Sequence, residues 1–148
     1  MKKFLSLIIL MALLCSGCRY PEGPGISFID PEYRIIGNWV LEEVSVNDEP
    51  VENSDFLANR PGNYYIISSD YVMSVSLFYN NVIRYSYYGS WHFQNNCKEL
   101  IMDFSLINQK YYYVATLKKL TKKEMIYEYD DAVGNHWRLH FYCISRVN

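Results

Sequence analysis

The chain has 148 residues and a mass of 17.5 kDa; 50% of it is hydrophobic, 17% aromatic and 20% charged. That length suits one ordinary domain, and so much apolar surface offsets chain entropy, which excludes a disordered protein. A net charge of −2 and a pI near 5.9 leave no basic field to neutralise phosphates, which argues against nucleic acid as a partner.

Lys2 and Lys3 stand before an apolar run over residues 4–14. A permanent membrane helix needs about 20 apolar residues; this run has instead the size of a secretory-signal core. Ser16 and Gly17 follow, then Cys18. Small residues just before a cysteine, behind such a core, resemble a bacterial lipoprotein signal, although the place three residues upstream, usually Leu, holds Cys15. The resemblance implies cleavage before Cys18, acylation of that residue, and attachment to a membrane through the lipid. Arg19 rather than Asp comes next, which in such proteins implies delivery to the outer membrane. Residues 1–17 are therefore expected as a signal peptide and 18–34 as a lipidated tether. The tether carries Pro21, Pro24, Pro31, Gly23 and Gly25 and no apolar period. Residues 35–148 remain for the folded domain.

From Ile35 onward the hydrophobic period is two. Strands are expected over 38–46, 63–69, 71–79, 82–93, 99–106, 111–120, 124–130 and 136–145. In the first, Trp39 and Leu41 share one parity and Val44 and Val46 the other, which predicts a β-bulge at Glu42–Glu43. Asn80-Asn81, Asn95-Asn96, Asn108-Gln109 and Gly134-Asn135 supply residues that tolerate positive φ in tight hairpins. Short connections make sequential antiparallel neighbours, and closing the meander removes both exposed edges. The expected fold is all-β: an eight-stranded antiparallel up-and-down barrel. A two-sheet sandwich is the alternative. One connection is long, 47–62. Ser54 to Ala58 can make a helical turn there, setting Phe56 and Leu57 over one opening of the barrel.

Gly37-Asn38-Trp39 opens the first strand, Gly89-Ser90-Trp91 repeats the triplet, and Arg146 follows the last strand. The pattern Leu117-x-x-Leu120-Thr121-x-x-x-Met125 crosses a hairpin. With the lipoprotein signal, these features resemble small bacterial lipocalin-like lipoproteins over residues 35–147. The resemblance implies a lipocalin-like barrel in which Gly37 and Trp39 close one end and Arg146 lies across Trp39, a cation–π contact. The chain is shorter than vertebrate lipocalins and lacks their helix after the barrel, so their ligands do not transfer.

Residues for chemistry are few. His136 and His140 are four apart, but on a strand that spacing is about 13 Å, too far for one zinc reaching each nitrogen at roughly 2 Å. There is no nucleophile elbow, phosphate loop or zinc-protease motif in the sequence. Neither a catalytic residue, a metal ligand nor a cofactor is expected, and the protein is expected not to be an enzyme; Glu43, at the bulge, is the one carboxylate that could turn inward. Cys97 and Cys143 fall on opposite walls, so no disulfide between them is expected. Fifteen tyrosines are divided between both strand faces. Inward ones fill a barrel and need hydroxyl partners; Tyr79, Tyr85, Tyr87 and Tyr88 are expected as an outer band. Lys118, Lys119, Lys122 and Lys123 surround one hairpin and suit either solvent or anionic headgroups.

Two functions fit. In one, an outer-membrane-anchored lipoprotein binds a small apolar or amphipathic ligand in its barrel, with Phe56, Leu57, Tyr127 and Trp137 as contacts. In the other, the barrel is filled, and its surface engages an envelope protein or glycan. A ligand cavity above about 300 Å³ favours the first.

Overall fold

The computed structural model describes residues 19–24, 27–52, 57–79, 82–106 and 109–146, without the side chains of Leu57, Tyr79, Arg84, Leu106 and Gln109. The expected leader, Cys18, Phe56, the Asn80-Asn81 tip and Asn108 lie outside these residues. Among the described residues, nine strands follow one short helix, α1 (Pro31–Ile35): β1 (Gly37–Val46), β2 (Glu49–Pro50), β3 (Tyr64–Ile67), β4 (Val72–Tyr79), β5 (Val82–Gln94), β6 (Glu99–Leu106), β7 (Gln109–Leu120), β8 (Glu124–Asp130) and β9 (His136–Ser145). β1 and β3 to β9 pair in sequence order, each antiparallel to the next, and β9 returns to pair with β1. The result is the closed eight-stranded barrel expected from the alternation. β2 is an addition: Asn47 and Asp48, both at positive φ, turn the chain so that Glu49 and Pro50 pair back onto the end of β1.

The parity switch in β1 is a bulge. Leu41 lies opposite Phe141 and Glu43 opposite His140, which leaves Glu42 as the extra residue. Trp39, Leu41 and Val44 are consequently buried while Glu42 and Glu43 both remain exposed. Glu43 does not turn inward. Its carboxylate stands on the outer surface, 3.3 Å from His140 Nδ1, because the bulge returns the next residue, Val44, to the core. Asn95 and Asn96 adopt the positive φ expected of them, as does Gly134.

Gly89 has a harder constraint. A Cβ there would lie 2.0 Å from the Asp103 carbonyl oxygen on β6, so only glycine lets the two strands approach as they do. This is the glycine of the second Gly-x-Trp triplet.

One end of the barrel holds the β3–β4, β5–β6 and β7–β8 turns and is closed. Trp39 and Trp91 are buried there; their indole N–H groups donate to the Ile35 carbonyl (2.7 Å) and the Ser68 carbonyl (3.0 Å). Gly37 brings β1 hard against β9: a Cβ on it would meet Cys143 Sγ and the Ser145 oxygen at 3.1 Å each. Arg146 reaches this end but does not lie over the Trp39 ring. Its guanidinium donates to the carbonyls of Tyr33 and Arg34, because the C-terminal turn of α1 presents free acceptors at that point. Cys97 and Cys143 are separate thiols.

The segment expected as a tether lies against the barrel. Asp30 caps α1 by accepting the Glu32 N–H at 2.9 Å, and Pro31 occupies the first turn. Arg34 is buried and donates to the Leu120 carbonyl (2.8 Å), with its guanidinium 5.3 Å from the centre of the Tyr20 ring. Tyr20 is buried in turn and donates to the Cys97 carbonyl at 3.0 Å. Lys118 is the extra residue of a second bulge, between β7 and β8. Its freed carbonyl accepts the Glu22 N–H at 2.8 Å, while the Glu22 carboxylate pairs with Arg138. That pairing holds the Glu22 carboxyl below its ordinary range.

Candidate functional site in the barrel mouth

The opposite end, bounded by the 47–62 loop and the β8–β9 hairpin, has a different interior. Aliphatic and tryptophan side chains give way to tyrosines. Tyr65 and Tyr127 form a floor around Phe141: the Tyr65 ring meets it edge-on at 4.9 Å, and the Tyr127 ring lies 5.2 Å away. The Tyr127 and Tyr65 hydroxyls are hydrogen-bonded, and Tyr65 donates onward to the Ala58 carbonyl at 2.8 Å. Tyr127 is therefore the donor to Tyr65, and the relay ends on the loop. Burial pushes both phenols far up from their ordinary value, so they stay neutral.

The loop is locked over this floor by its own polar side chains. Leu57–Asn59 forms a 3-10 turn. Asn63, fully buried, donates from Nδ2 to the Ala58 carbonyl (3.1 Å) and accepts the Phe78 N–H (3.2 Å). Asn59, also buried, donates to the Tyr129 hydroxyl at 2.6 Å. Ala58 and Asn59 of the loop thus lie against the floor, joined to it through Tyr65, Tyr129 and Asn63. Phe56 and the Leu57 side chain, the residues expected over the opening, lie outside the described residues.

Beside the floor is a cleft of about 430 Å³ between the start of β7 (Lys110 to Tyr113) and the β8–β9 hairpin (Tyr129 to Val133), with Trp137 in its wall. Two flat aromatic surfaces line it. Tyr129 and Trp137 are nearly parallel, 9° apart with centroids at 6.3 Å; Tyr111 and Tyr113 are parallel within 2° at 6.4 Å. The surfaces meet where Tyr113 sets its edge against Tyr129 at 5.1 Å. The two rings of the first surface are held by side-chain bonds. Asn59 fixes Tyr129, whose hydroxyl is pushed up to about 12, chiefly by burial. Asp131 accepts the Trp137 indole N–H at 3.0 Å. The same carboxylate accepts the backbone N–H groups of Val133 and Asn135 and the Asn135 amide. These bonds, led by Trp137, hold Asp131 down to about 2. Tyr87, on the inward face of β5 near Tyr111, keeps a buried hydroxyl with no hydrogen-bond partner.

Of the residues expected to touch a ligand, Trp137 lines the cleft and Tyr127 lies beneath it at 3% exposure. Gly37, Trp39 and Arg146 lie at the closed end, away from the cleft. The expected outer tyrosine band divides: Tyr88 is 68% exposed, Tyr87 is buried inside the barrel, and Tyr85 shares the inward register of Tyr87 at the rim. The Tyr79 side chain lies outside the described residues. This register continues unbroken from buried Trp91; a bulge at residue 84, opposite Leu77 and Phe78, changes parity only for Val82 and Ile83. The histidines serve the outer wall: His136 sits between Asp130 and Glu128, and His140 between Glu43 and Glu124. Sequence reading missed Asn59, Asn63 and Asp131. Asn63 stands beside a Pro-Gly turn and Asp131 opens a hairpin, so both read as ordinary turn residues.

The cleft offers ring faces, phenol hydroxyls and a rim carrying Lys110 and Asp130. Such a lining can hold an amphipathic molecule with a flat ring or ring-like face. No protein-family model and no curated protein matches the sequence, so the functional conclusion rests on this geometry.

Proposed function

We propose that the protein is an outer-membrane lipoprotein, anchored through acylated Cys18, whose lipocalin-like barrel binds a small amphipathic ligand in its mouth. The observation that carries this reading is the cleft of about 430 Å³ walled by two preorganised aromatic surfaces. It exceeds the smallest volumes typical of ligand sites, about 300 Å³. Its rings are oriented before any ligand arrives, which lowers the ordering cost of binding. The reading is of binding without chemistry: the Asp131 carboxylate is spent on Trp137 and the hairpin, and His136 on Asp130.

The deep half of the barrel is filled, as the alternative surface-module reading expects. The two readings separate at the mouth. Native mass spectrometry of protein taken from its own cells is expected to show a bound small molecule. Trp137→Ala is expected to weaken binding of that molecule about tenfold, the loss of one aromatic contact of about 1.5 kcal/mol. A chain that carries nothing from its own cells, and whose Trp137 emission is indifferent to extracts of the envelope, would leave the surface reading standing instead.

A further inference from the structure

We propose that the closed end of the barrel is a membrane-contacting face, so that the anchored protein holds its mouth away from the bilayer. This rests on the acylation of Cys18 proposed above. Tyr20 follows Cys18 by two residues, a reach of at most about 7 Å, and Tyr20 is not free to move. It is 4% exposed, donates to the Cys97 carbonyl in the β5–β6 turn at 3.0 Å, and carries the Arg34 guanidinium over its ring. Glu22 is fixed as well, by Lys118 and Arg138. A lipid on Cys18 therefore leaves the molecule at the closed end, with one intervening residue instead of a long tether.

The surface around that point suits a bilayer interface. Phe28 is 90% exposed and Tyr33, on α1, 72% exposed; Ile144, the bulged residue near the end of β9, is 55% exposed. Lys122 and Lys123 stand exposed on the β7–β8 turn at the same end. Aromatic and aliphatic side chains entering the headgroup layer beside lysines are the usual makings of an interfacial contact. Apolar side chains are exposed at the mouth too, Val82 and Ile83 among them. Exposure alone therefore does not choose an end; the position of the docked Tyr20 does.

The test uses the full acylated chain in vesicles of phosphatidylethanolamine and phosphatidylglycerol, with Cys97→Ser and Cys143→Ser removing background thiols. Single cysteines carry an environment-sensitive dye, at Phe28→Cys or Tyr33→Cys for the closed end and Ile83→Cys or Val133→Cys for the mouth. The closed-end labels are expected to shift to the blue and lose emission to lipids brominated in the acyl chain, while the mouth labels keep theirs. Quenching at the mouth, or at neither end, overturns the proposal. Intact mass measured on the same sample separates the two failures: a chain without lipid on Cys18 sinks the anchoring and the orientation together, whereas a lipidated chain with all labels in water sinks the orientation alone.

Discussion

The two ends of this barrel are built from different chemistry. At the closed end Trp39, Trp91, Leu100 and Leu120 are almost wholly buried, and the buried Trp39, Trp91 and Arg34 side chains donate to backbone carbonyls. At the mouth the interior is phenolic, and the polar bonds run between side chains and a loop: Asn59 to Tyr129, Trp137 to Asp131, Tyr127 to Tyr65 to Ala58. Backbone carbonyl acceptors cannot be removed by substitution. Side-chain bonds can be broken one at a time, and a ligand can replace them. The closed end is thus suited to hold the fold, and the mouth to respond.

Substitutions should separate these roles. Trp39→Ala removes a fully buried indole and is expected to cost about 3–5 kcal/mol in denaturant unfolding. A cost below that of any mouth variant would break the contrast between the ends. Asn63→Ala strips the loop of its buried latch and leaves the Phe78 N–H without its acceptor. It is expected to cost about 1–3 kcal/mol and to increase hydrogen exchange in the 3-10 turn while leaving Trp39 protected.

A buried charge gives a smaller effect. Arg34 makes one bond to Leu120 and stacks on Tyr20, but its Nε and Nη2 have no partners. Arg34→Met is therefore expected to change stability by no more than about 1 kcal/mol, since a well-packed apolar replacement offsets the lost bond. A loss several times larger would show that the guanidinium is a true part of the plug.

The smallest effect is set by pH. Asp131 is held below its ordinary 3.8, at about 2. A depressed carboxyl contributes stability that is present above its unfolded value and lost as pH falls through its folded one. Between about pH 4 and pH 2 the hairpin and Trp137 are expected to loosen, read as a change in Trp137 emission that Asp131→Asn removes. Concurrent loss of the Trp39 and Trp91 environments would mean that the whole barrel, not the mouth, responds to acid.

Much of the fold was legible because period-two alternation and turn chemistry are local signals. The bulge at Glu42 showed as a change of parity within one strand, and Asn95-Asn96 announced its own turn. The N-terminal segment was misjudged despite a readable cue: Asp30-Pro31-Glu32 combines a cap, a proline in the first turn and an acidic residue, enough for α1. Burial of Tyr20 had no such cue, because its partner Cys97 is 77 residues away. The mouth was the least legible part. Tyr87 has the parity of buried Trp91 across an unbroken register, so its inward face was readable from that tryptophan, whereas the bulge at residue 84 that resets Val82 and Ile83 left no mark in the alternation. Trp137 was reachable from its strand, but the cleft beside it arises from four residues of β7 and a hairpin that come together only on closure.

The seam between β1 and β9 joins the first strand to the last, with Asn38 bonded to Ser145 across 107 positions of chain. Every other strand pairing can form as soon as its neighbour is made; this one waits for β9 to emerge. Until then β1 and β8 each present an unpaired edge open to other chains. A barrel of this topology stays unfinished until β9 is made, which makes loss of that strand costly in aggregation out of proportion to its length.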